Sequence, residues 1–516
     1  MRKAATLLLA IVILIVSSLI ALPPANADES KTIIVPDDYP AISSAIGNAT
    51  DGDTIFVKKG NYEEKQLIVN KSLSLIGEGA GNTRINLNPP YVENRIFTST
   101  YSAPDNSIKV NTDGFEMSGF TIATPSYLSL IGDGIKILNN NITAGLSGNG
   151  DEVQITGNTL SGGVHVKGSN QIIAQNTIKA GIEVNGCYNE IVDNVMSGGG
   201  LQIVDMVCNN SLIFNNTIIG NGWPGIHLEY AVRGNIIAQN NLIGCGIELE
   251  TRCSFNTIFA NKLNGAGFSL MGFNNTFYAN EAIGVNIGGT HGGVVDAAYN
   301  SFYCNNFLSN VPELRVYTKA PGPLFWDNGK EGNHWSSYHG ADANNDGIGD
   351  VTYKVTAAYS YYDGSIREEA IVDCGQDNFP LMVPFDISSV PIELPDWITP
   401  PSVRLISPKN TTYTFTNITL EFTVNKQTTW IGYSLDGQDN VTVSGNTTLS
   451  GLFNGLHNIT IYAKDEFDNI GFSETINFTI AVPEPEPFPT TVIVASIVTV
   501  AIVGTGLSVY FKKRKH

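Results

Sequence analysis

The chain reads Asn235-Ile-Ile-Ala-Gln-Asn240, then Gly246-Ile-Glu-Leu249, then Asn256-Thr-Ile-Phe-Ala-Asn261. Both patterns, Asn-x-Φ-x-x-Asn and Gly-Φ-x-Φ with Φ an apolar residue, recur along residues 134–305. Short alternations of apolar and polar residues between glycines predict half-buried strands, because a helical pattern would repeat near 3.6. A period of about 20 residues predicts a solenoid made of such strands and turns.

Asparagines mark one position of each predicted coil. Nine of them recur at intervals of 18 to 25 residues: Asn140, Asn158, Asn176, Asn194, Asn215, Asn240, Asn261, Asn280 and Asn305. Stacked strands lie about 4.8 Å apart, so each asparagine can hydrogen-bond its copy in the next coil. The sequence therefore predicts an all-β fold, a parallel β-helix. Surface turns without stacking are the alternative, but scattered turn residues would not keep one register over nine repeats.

The composition fits a large, acidic, turn-rich protein. The 516 residues, 42% of them hydrophobic, suffice for two or three domains, and 52 glycines favour β structure over helices. A formal net charge of −19 disfavours nucleic acids and anionic polymers as partners. Cations or neutral glycans fit this charge better.

The chain ends predict export and a membrane anchor. Arg2 and Lys3, an apolar run and Ala25-Asn-Ala27 indicate a signal peptide over residues 1–27, with an uncleaved N-terminal anchor as the alternative. Residues 491–511 are uncharged, and a basic tail follows at 512–516. This predicts a single-pass transmembrane helix at the cell surface with the ectodomain outside, raised on a Pro/Glu spacer at 483–490.

Six cysteines are spread along the chain without a CxxC pair, which argues against zinc. Cys187 and Cys208 each precede a repeat asparagine by two residues, so they should stack in adjacent coils. A disulfide and two buried free thiols are equally compatible with this spacing.

The opening segment carries a cap and a family resemblance. The apolar residues Ala41, Ile42, Ala45 and Ile46 predict a short amphipathic helix over the end of the solenoid. The runs Asp51-Gly-Asp-Thr-Ile-Phe-Val and Lys71-Ser-Leu-Ser-Leu-Ile-Gly77 resemble the start of pectin-lyase-like right-handed β-helix proteins. The resemblance implies the fold and says little about activity.

A second signature closes the solenoid, whose predicted range is residues 28–385. Residues 326–385 contain Gly332-Asn-His-Trp335 and Asp377-Asn-Phe-Pro380. They resemble the C-terminal segment of NosD-like β-helix proteins and their archaeal cell-surface relatives, a family associated with copper. His334 and His339 are isolated and the six methionines do not cluster, which argues against copper here.

The C-terminal third predicts a second β domain. A linker at 386–401 precedes short alternating strands at 402–482, which indicate an Ig-like β-sandwich and resemble modules of archaeal surface proteins. Twelve Asn-x-Ser/Thr sequons, half of them in this domain, predict a glycoprotein. Asn215 is the expected exception, because a ladder asparagine facing the interior would not accept a glycan.

One loop predicts a structural calcium site. The ligands would be Asp342, Asn344, Asp346, the Ile348 carbonyl and Asp350, at alternate positions around Gly347. The loop departs from an EF-hand, because Tyr353 stands where the final glutamate would be, so Asp373 or Asp377 would have to complete the site. A loop held by its own Asx-turns is the alternative.

The polar residue of each Gly-Φ-x-Φ strand predicts a stripe on one outer face. Its members are Lys136, His165, Glu183, Gln202, His227, Glu248, Ser269 and Asn286. In pectin-lyase-like enzymes, which this chain resembles, such a face often holds the substrate. The candidate catalytic or cation-binding patch is His227, Glu229, Glu248 and Glu250, since two carboxylates one coil apart can serve as acid and nucleophile. A solvated charged stripe is the alternative.

Two aromatic residues, Trp335 and Tyr338, are further candidates for stacking on sugars, although aromatics also plug solenoid ends. The family-specific catalytic motifs of pectin-active enzymes are missing. The sequence thus leaves three functions open: binding, with or without cleavage, of polysaccharide by a membrane-anchored surface protein; a structural or adhesive envelope role; and a NosD-like copper-related role.

Overall fold

The computed structural model describes residues 30–87, 107–204, 210–220, 224–287, 297–308, 314–316, 322–360, 369–391, 396–467, 469–483 and 490–513. The chain divides near residue 391 into two compact units. The first is a parallel β-solenoid and the second is built from two smaller sheets, which confirms the all-β prediction.

Three long, mainly parallel sheets form the solenoid, and each complete coil contributes one strand to each sheet. Sheet 1 contains Thr32–Val35, Thr54–Val57, Ser74–Gly77, Glu116–Ser118, Lys136–Leu138, Gln154–Thr156, Ile172–Ala174, Glu190–Val192, Leu212–Phe214, Ile236–Ala238, Thr257–Phe259, Thr276–Tyr278, Asn300–Tyr303 and Leu324–Phe325. Sheet 2 contains Gly60–Glu64, Thr83–Leu87, Thr121–Ala123, Asn141–Ile142, Thr159–Leu160, Thr177–Ile178, Val195–Ser197, Thr217–Ile219, Asn241–Ile243, Lys262–Asn264, Glu281–Ala282, Asn306–Phe307 and His334–Trp335. Sheet 3 contains Leu67–Val69, Ile108–Asn111, Leu128–Ile131, Leu146–Asn149, Val164–Lys167, Ile182–Asn185, Leu201–Ile203, Ile226–Leu228, Ile247–Leu249, Phe268–Leu270, Val285–Ile287, Leu314–Val316, Tyr353–Ser360 and Glu369–Asp377, the last two antiparallel.

The asparagine ladder exists and is longer than predicted. Its ten members are Asn140, Asn158, Asn176, Asn194, Asn216, Asn240, Asn261, Asn280, Asn305 and Asn333. Each backbone N–H donates to the side-chain oxygen of the next member at 2.9 to 3.1 Å, and each member is at most 2% exposed. The buried amides are therefore satisfied, which removes a cost of a few kcal/mol for each.

One ladder position was predicted wrongly. Asn216 is the ladder member, whereas Asn215 is exposed, adopts a φ of +52° and bonds to Asp193. Two consecutive asparagines fit the period equally well, and only the left-handed turn residue before each ladder position separates them. The sequon at Asn215 is consequently not blocked by burial, contrary to the expectation.

A second ladder runs at the other end of the sheet 1 strands. It comprises Gln171, Asn189, Ser211, Asn235, Asn256, Asn275 and Asn300, joined by N–H to side-chain oxygen bonds of 2.8 to 3.1 Å. These are the first residues of the Asn-x-Φ-x-x-Asn pattern. The pattern therefore consists of two ladders with a sheet 1 strand between them.

The N-terminal cap is the predicted helix, Ile42–Asn48, which buries Ile42, Ala45 and Ile46. Its N-terminus is capped from the next coil, because Glu64 Oε1 accepts from the backbone N–H of Ile42 at 2.7 Å. Its C-terminus is capped by Lys71 Nζ, which donates to the carbonyls of residues 46, 47 and 49 at 2.7 to 3.0 Å. Both caps place charges where the helix dipole favours them.

The outer side of sheet 1 carries an apolar column that the sequence reasoning missed. We define it as Ala174, Val192, Phe214, Ala238, Phe259, Tyr278 and Tyr303, which pair in register from coil to coil. They alternate with Ile173, Ile191, Ile213, Ile237 and Ile258 of the interior core. The first five column members are at most 4% exposed, and the rings of Phe259, Tyr278 and Tyr303 stack at 4.9 and 5.2 Å.

The second unit has its own core between two sheets. One sheet orders Val403–Ser407, Ile418–Val424 and Thr447–Leu449. The other orders Thr412–Tyr413, Ile476–Ile480, Gly455–Lys464, Trp430–Leu435 and Val441–Thr442, with Ile470–Phe472 beside Gly455–Lys464. Ile418, Leu420, Ile459, Ile461 and Phe478 are among the buried residues between them. A 3-10 turn, Ile387–Ser389, precedes this unit in the chain.

The predicted membrane anchor at 491–511 is wrong. A helix spans Thr490–Lys513, but none of the helices in the described ranges is long and apolar enough to cross a bilayer. The prediction rested on the length of this stretch and on its uncharged, apolar composition. The predicted localisation, a single-pass protein at the cell surface, depended on this anchor and is therefore wrong as well.

Several predictions concern residues outside the described ranges. They are the signal peptide at 1–27, most of the spacer at 483–490, the end of the basic tail at 512–516, the sequon at Asn209 and Cys208 with its possible disulfide. Cys245, Cys253, Cys304 and Cys374 are buried, and burial raises the pKa of Cys253 and of Cys304 to about 12. These thiols stay protonated, so they behave as small core residues.

Candidate ligand-binding face

The outer side of sheet 3 holds the predicted polar stripe. We define the polar column as His165, Glu183, Gln202, His227, Glu248 and Ser269, which pair residue by residue in successive coils. Asn286 occupies the next position of the same register. All six side chains of the polar column are half-buried, between core residues that point inward. The order and spacing of these residues follow the prediction.

Lys136 does not belong to this column. It lies on the strand Lys136–Leu138 of sheet 1, where it pairs with Glu116 and Gln154. The run Gly134-Ile-Lys-Ile has the Gly-Φ-x-Φ pattern of a sheet 3 strand but begins a sheet 1 strand. The motif alone therefore does not identify the sheet.

The glycines that open most of the Gly-Φ-x-Φ strands are required by close packing between coils. A Cβ at Gly246 would lie 2.2 Å from the carbonyl oxygen of Gly267, and a Cβ at Gly267 would lie 2.2 Å from that of Gly284. No real Cβ tolerates such a distance. Glycines therefore border the polar column along the sheet without presenting side chains.

Three hydrogen-bonded pairs tie the face together. His165 Nδ1 lies 3.2 Å from Glu183 Oε2, and His227 Nε2 lies 3.0 Å from Glu250 Oε1. Gln202 Nε2 donates to Glu229 Oε1. Each pair joins one coil to the next, so the side chains are held in place before any ligand binds.

The predicted carboxylate patch is only partly as expected. Glu229 and Glu250 follow Leu228 and Leu249, which pair in register, so the two glutamates occupy equivalent positions one coil apart. Each accepts from a different donor, Gln202 and His227 respectively. Glu248 lies between His227 and Ser269 in the polar column, and no described residue gives it a hydrogen bond or ion pair. Glu248 is thus the carboxylate of this patch with its oxygens available.

The aromatic candidates lie at the end of the solenoid. Trp335 is 2% exposed and packs against Phe307 and Trp326, with ring centroids at 4.7 and 5.5 Å. Tyr338 donates its hydroxyl to the Val351 carbonyl at 2.6 Å. Trp335 is therefore a core residue that plugs the coil, and it is not accessible for stacking on a sugar.

The loop predicted to bind calcium is held by its own backbone. Asp342 accepts from the N–H groups of Asp346 and Gly347 at 3.2 and 3.0 Å, and Asp350 accepts from Ala343 at 2.7 Å. Asp346 accepts from the N–H of Ile348 and from the Asn344 side chain, both at 2.9 Å. These are the Asx-turn contacts of the alternative interpretation.

No three His, Cys, Asp or Glu side chains converge closely enough for a metal ion within the described part of the chain. Calcium also takes amide and backbone oxygens, so the calcium prediction stays a prediction. Asp377, one of the two residues expected to complete the site, is 0% exposed, and its oxygens accept from Asn333, Trp335 and Phe379. Gly349 has a packing role, since a Cβ there would lie 2.0 Å from the Tyr338 hydroxyl.

Comparison with known proteins supports the fold. Residues 134–307 match the family described as "Right handed beta helix region". The matched range contains most coils of the solenoid and the whole polar column.

Among curated proteins, the chain is similar to halomucin of Haloquadratum walsbyi, with 36% identity over 91 residues. The match covers 16% of this chain and 1% of halomucin, so the chain spans a very small part of that relative's length.

Solved structures with a similar fold include three enzymes whose names refer to polysaccharides. The A-module of the Azotobacter vinelandii mannuronan C-5 epimerase AlgE6 has 13% identity and a TM-score of 0.33, covering 57% of this chain and 84% of the module. A GH87 alpha-1,3-glucanase catalytic domain has 12% identity and a TM-score of 0.38, covering 61% and 71%. The PL6 alginate lyase AlyGC has 11% identity and a TM-score of 0.33, covering 74% and 61%. At these scores the similarities carry no argument about activity.

Proposed function

We propose that the outer face of sheet 3 binds a polysaccharide along the solenoid axis. The polar column carries this proposal, because it repeats hydroxyl, amide, imidazole and carboxylate groups at the strand spacing of about 4.8 Å. Sugars are recognised through hydrogen bonds of this kind. The pairs His165–Glu183 and His227–Glu250 hold donors and acceptors in place, which reduces the entropy lost on binding.

Binding without cleavage is the activity that the geometry favours. Glu229 and Glu250 each hold a hydrogen bond to a neighbouring side chain, Gln202 and His227 respectively. Because these two carboxylates already serve contacts within the protein, we propose binding and not cleavage. A ligand-free structural or adhesive role is the second candidate, because internally paired side chains also stabilise a bare surface.

A glycan array and a reducing-sugar assay on the protein test the proposal. We expect binding of neutral glycans, no release of reducing ends, and a loss of affinity of roughly tenfold in Glu248→Gln and Glu250→Gln, as for a lost hydrogen bond to a charged group. Glu116→Gln on the outer side of sheet 1 is the matched control and should bind like wild type. Absence of binding would contradict the proposal and favour the structural or adhesive role. If reducing ends are released, and Glu248→Gln abolishes the release, the protein is a hydrolase or a lyase.

Calcium binding by the loop at Asp342, Asn344, Asp346, Ile348 and Asp350 is a further part of the proposal. What supports it is the sequence pattern of oxygen-bearing residues at alternate positions, on a turn that the Asp342 hydrogen bonds order. Calcium at a hundredfold excess over its Kd should stabilise the protein by about 2.7 kcal/mol, measured by thermal melting with and without chelator. Asp346→Asn should remove this difference, and Asp439→Asn, which removes an exposed carboxylate of the second unit, should keep it. An unchanged wild-type midpoint would contradict the proposal.

We also propose family assignments for two segments of the chain. The resemblance of residues 326–385 to NosD-like proteins, and of residues 402–482 to Ig-like modules of archaeal surface proteins, rests on sequence patterns. N-glycans on the exposed sequons, such as Asn215 and Asn477, belong to the same proposal.

A further inference from the structure

A tyrosine interrupts the row of glycines beside the polar column. The eight sheet 3 strands from Leu146–Asn149 to Val285–Ile287 each follow a glycine. In the coil before them, Tyr127 occupies the glycine position, directly ahead of the strand Leu128–Ile131. The equivalent residue of the next coil is Gly145, whose carbonyl accepts from the N–H of Leu128 at 3.0 Å. Tyr127 therefore places a side chain where the eight following coils have none.

The Tyr127 ring lies on the outer face and is open to solvent. A Cβ at Gly145 would lie 2.5 Å from Tyr127 Cε1, so the ring covers this glycine. Tyr127 is nevertheless 46% exposed, and no described residue bonds to its hydroxyl. Leu128 and Leu130 of the same coil fill the core and are 0% and 1% exposed. Packing of the core therefore does not account for an aromatic ring at this position.

The imidazole of His165 extends the surface of this ring. Two coils separate the backbones of Tyr127 and His165, about 9.6 Å at the strand spacing, yet their ring centroids are 5.7 Å apart. The two rings therefore lean toward each other. The His165 side chain is 44% exposed, and Glu183 Oε2 lies 3.2 Å from its Nδ1. Together the rings form an exposed platform at the N-terminal end of the polar column.

Two serines lie beside this platform. Ser147 pairs with His165 in the register of sheet 3, and Ser129 pairs with Ser147. Neither hydroxyl has a hydrogen-bond partner among the described residues. Beyond Ser129, on the same strand as Tyr127, Ile131 is 51% exposed. Tyr127 and Ile131 start about 13 Å apart along the strand, so the serine hydroxyls lie between two apolar side chains with room for one sugar ring.

The charges around the platform are of both signs. Lys109 pairs with Ser129 one coil toward the N-terminus, and Glu183 pairs with His165 one coil toward the C-terminus. Opposite charges at the two ends give no net attraction for an anionic or a cationic ligand. An exposed aromatic ring beside hydroxyl, imidazole and carboxylate groups suits a neutral sugar, which has both an apolar face and hydroxyl groups.

We propose that Tyr127 is the stacking residue of a sugar subsite at the N-terminal end of the polar column, and that this subsite takes a neutral pyranose ring. The C–H face of the pyranose packs on Tyr127, while Ser129, Ser147 and Glu183 bind its hydroxyls. The inference rests on the proposed binding of polysaccharide by sheet 3. It assigns a main contact of the ligand to the coil of Tyr127, at a distance from the carboxylates of Glu248 and Glu250.

Binding of defined oligosaccharides to the full chain tests the inference. The probes are neutral hexaoses of glucose, mannose and galactose, with hexagalacturonate as the charged counterpart. Tyr127→Ala should weaken binding of the neutral hexaose about tenfold, as for a lost aromatic contact, and Tyr127→Phe should stay within about twofold of wild type. Tyr299→Ala is the matched control and should bind like wild type, because Tyr299 is 54% exposed directly before the sheet 1 strand Asn300–Tyr303.

Fluorescence gives a second readout at the subsite itself. The emission of Tyr127→Trp, corrected for wild type, should change when the neutral hexaose is added, whereas that of Tyr299→Trp should not. Wild-type affinity in Tyr127→Ala, or unchanged emission in Tyr127→Trp, overturns the inference and leaves the proposed function standing. Tighter binding of hexagalacturonate than of every neutral hexaose overturns the assigned class of sugar. If the wild type binds none of the probes, the inference and the proposed function both fail.

Discussion

The outer faces of sheet 1 and sheet 3 share one backbone pattern and differ in chemistry. Both are parallel, both keep one residue above the next over many coils, and both alternate with residues of the same core. The apolar column of sheet 1 excludes water almost completely in its middle, whereas the polar column of sheet 3 remains half-exposed. The solenoid thus fixes where each side chain lies. The residue type at that position of the coil then decides whether the face stabilises the fold or binds a ligand.

Breaking the asparagine ladder should have the largest effect, because it holds both faces in register. Asn216→Ala leaves the N–H of Asn194 without its acceptor and removes the Nδ2 donor to the Ile191 and Phe214 carbonyls, which should cost about 3 to 5 kcal/mol of unfolding free energy. Asn215→Ala, one residue earlier and exposed, should cost about 1 kcal/mol through its left-handed backbone. Denaturant unfolding of both variants measures the difference, and equal losses would contradict the ladder assignment.

The second comparison sets the two columns against each other. Phe259→Ala removes a buried ring from the apolar column and should destabilise the protein by about 3 kcal/mol. Ser269→Ala, in the polar column, should change the unfolding free energy by less than about 0.5 kcal/mol. Thermal melting of the pair decides whether the outer side of sheet 1 contributes to stability. Similar midpoints would show that its burial has no energetic consequence.

The smallest effect on stability is expected within the polar column. Glu183→Gln weakens the pair with His165, but both side chains are nearly half-exposed, at 46% and 44%. We expect a change below about 1 kcal/mol in unfolding free energy, as for exposed pairs. A loss of glycan affinity without a loss of stability would confirm that this face serves recognition, whereas a large destabilisation would make it structural.

The sequence predicted the solenoid and the polar column because both depend on local periodicity. It missed the apolar column, although a signal was present: Leu212-Ile-Phe214 and Ile236-Ile-Ala238 are apolar at all three positions, as expected for strands buried on both sides. Lys136 was assigned to the wrong sheet because strands of different sheets share one motif. The ladder position was ambiguous between residues 215 and 216, because two consecutive asparagines both fit the repeat.

Other features depend on contacts between distant residues and had no local signal. Asp377 meets Asn333 across 44 residues, and Glu64 caps a helix that begins 22 residues earlier. The pairing of Gln202 with Glu229, and of His227 with Glu250, depends on side-chain direction in adjacent coils. Sequence periodicity predicts which residues share a face, but it does not say which of them bond.

Ladder members are separated by as few as 18 and as many as 28 residues, yet the strands stay aligned. Surplus residues are accommodated in the connections between strands, so each coil is an independent increment of length. Unequal duplication of one coil would extend both faces by about 4.8 Å and copy their chemistry, whereas a single residue inserted within a strand would turn every later side chain of that strand to the wrong side. A gene of this kind can therefore lengthen its surface in whole steps without redesigning its interior.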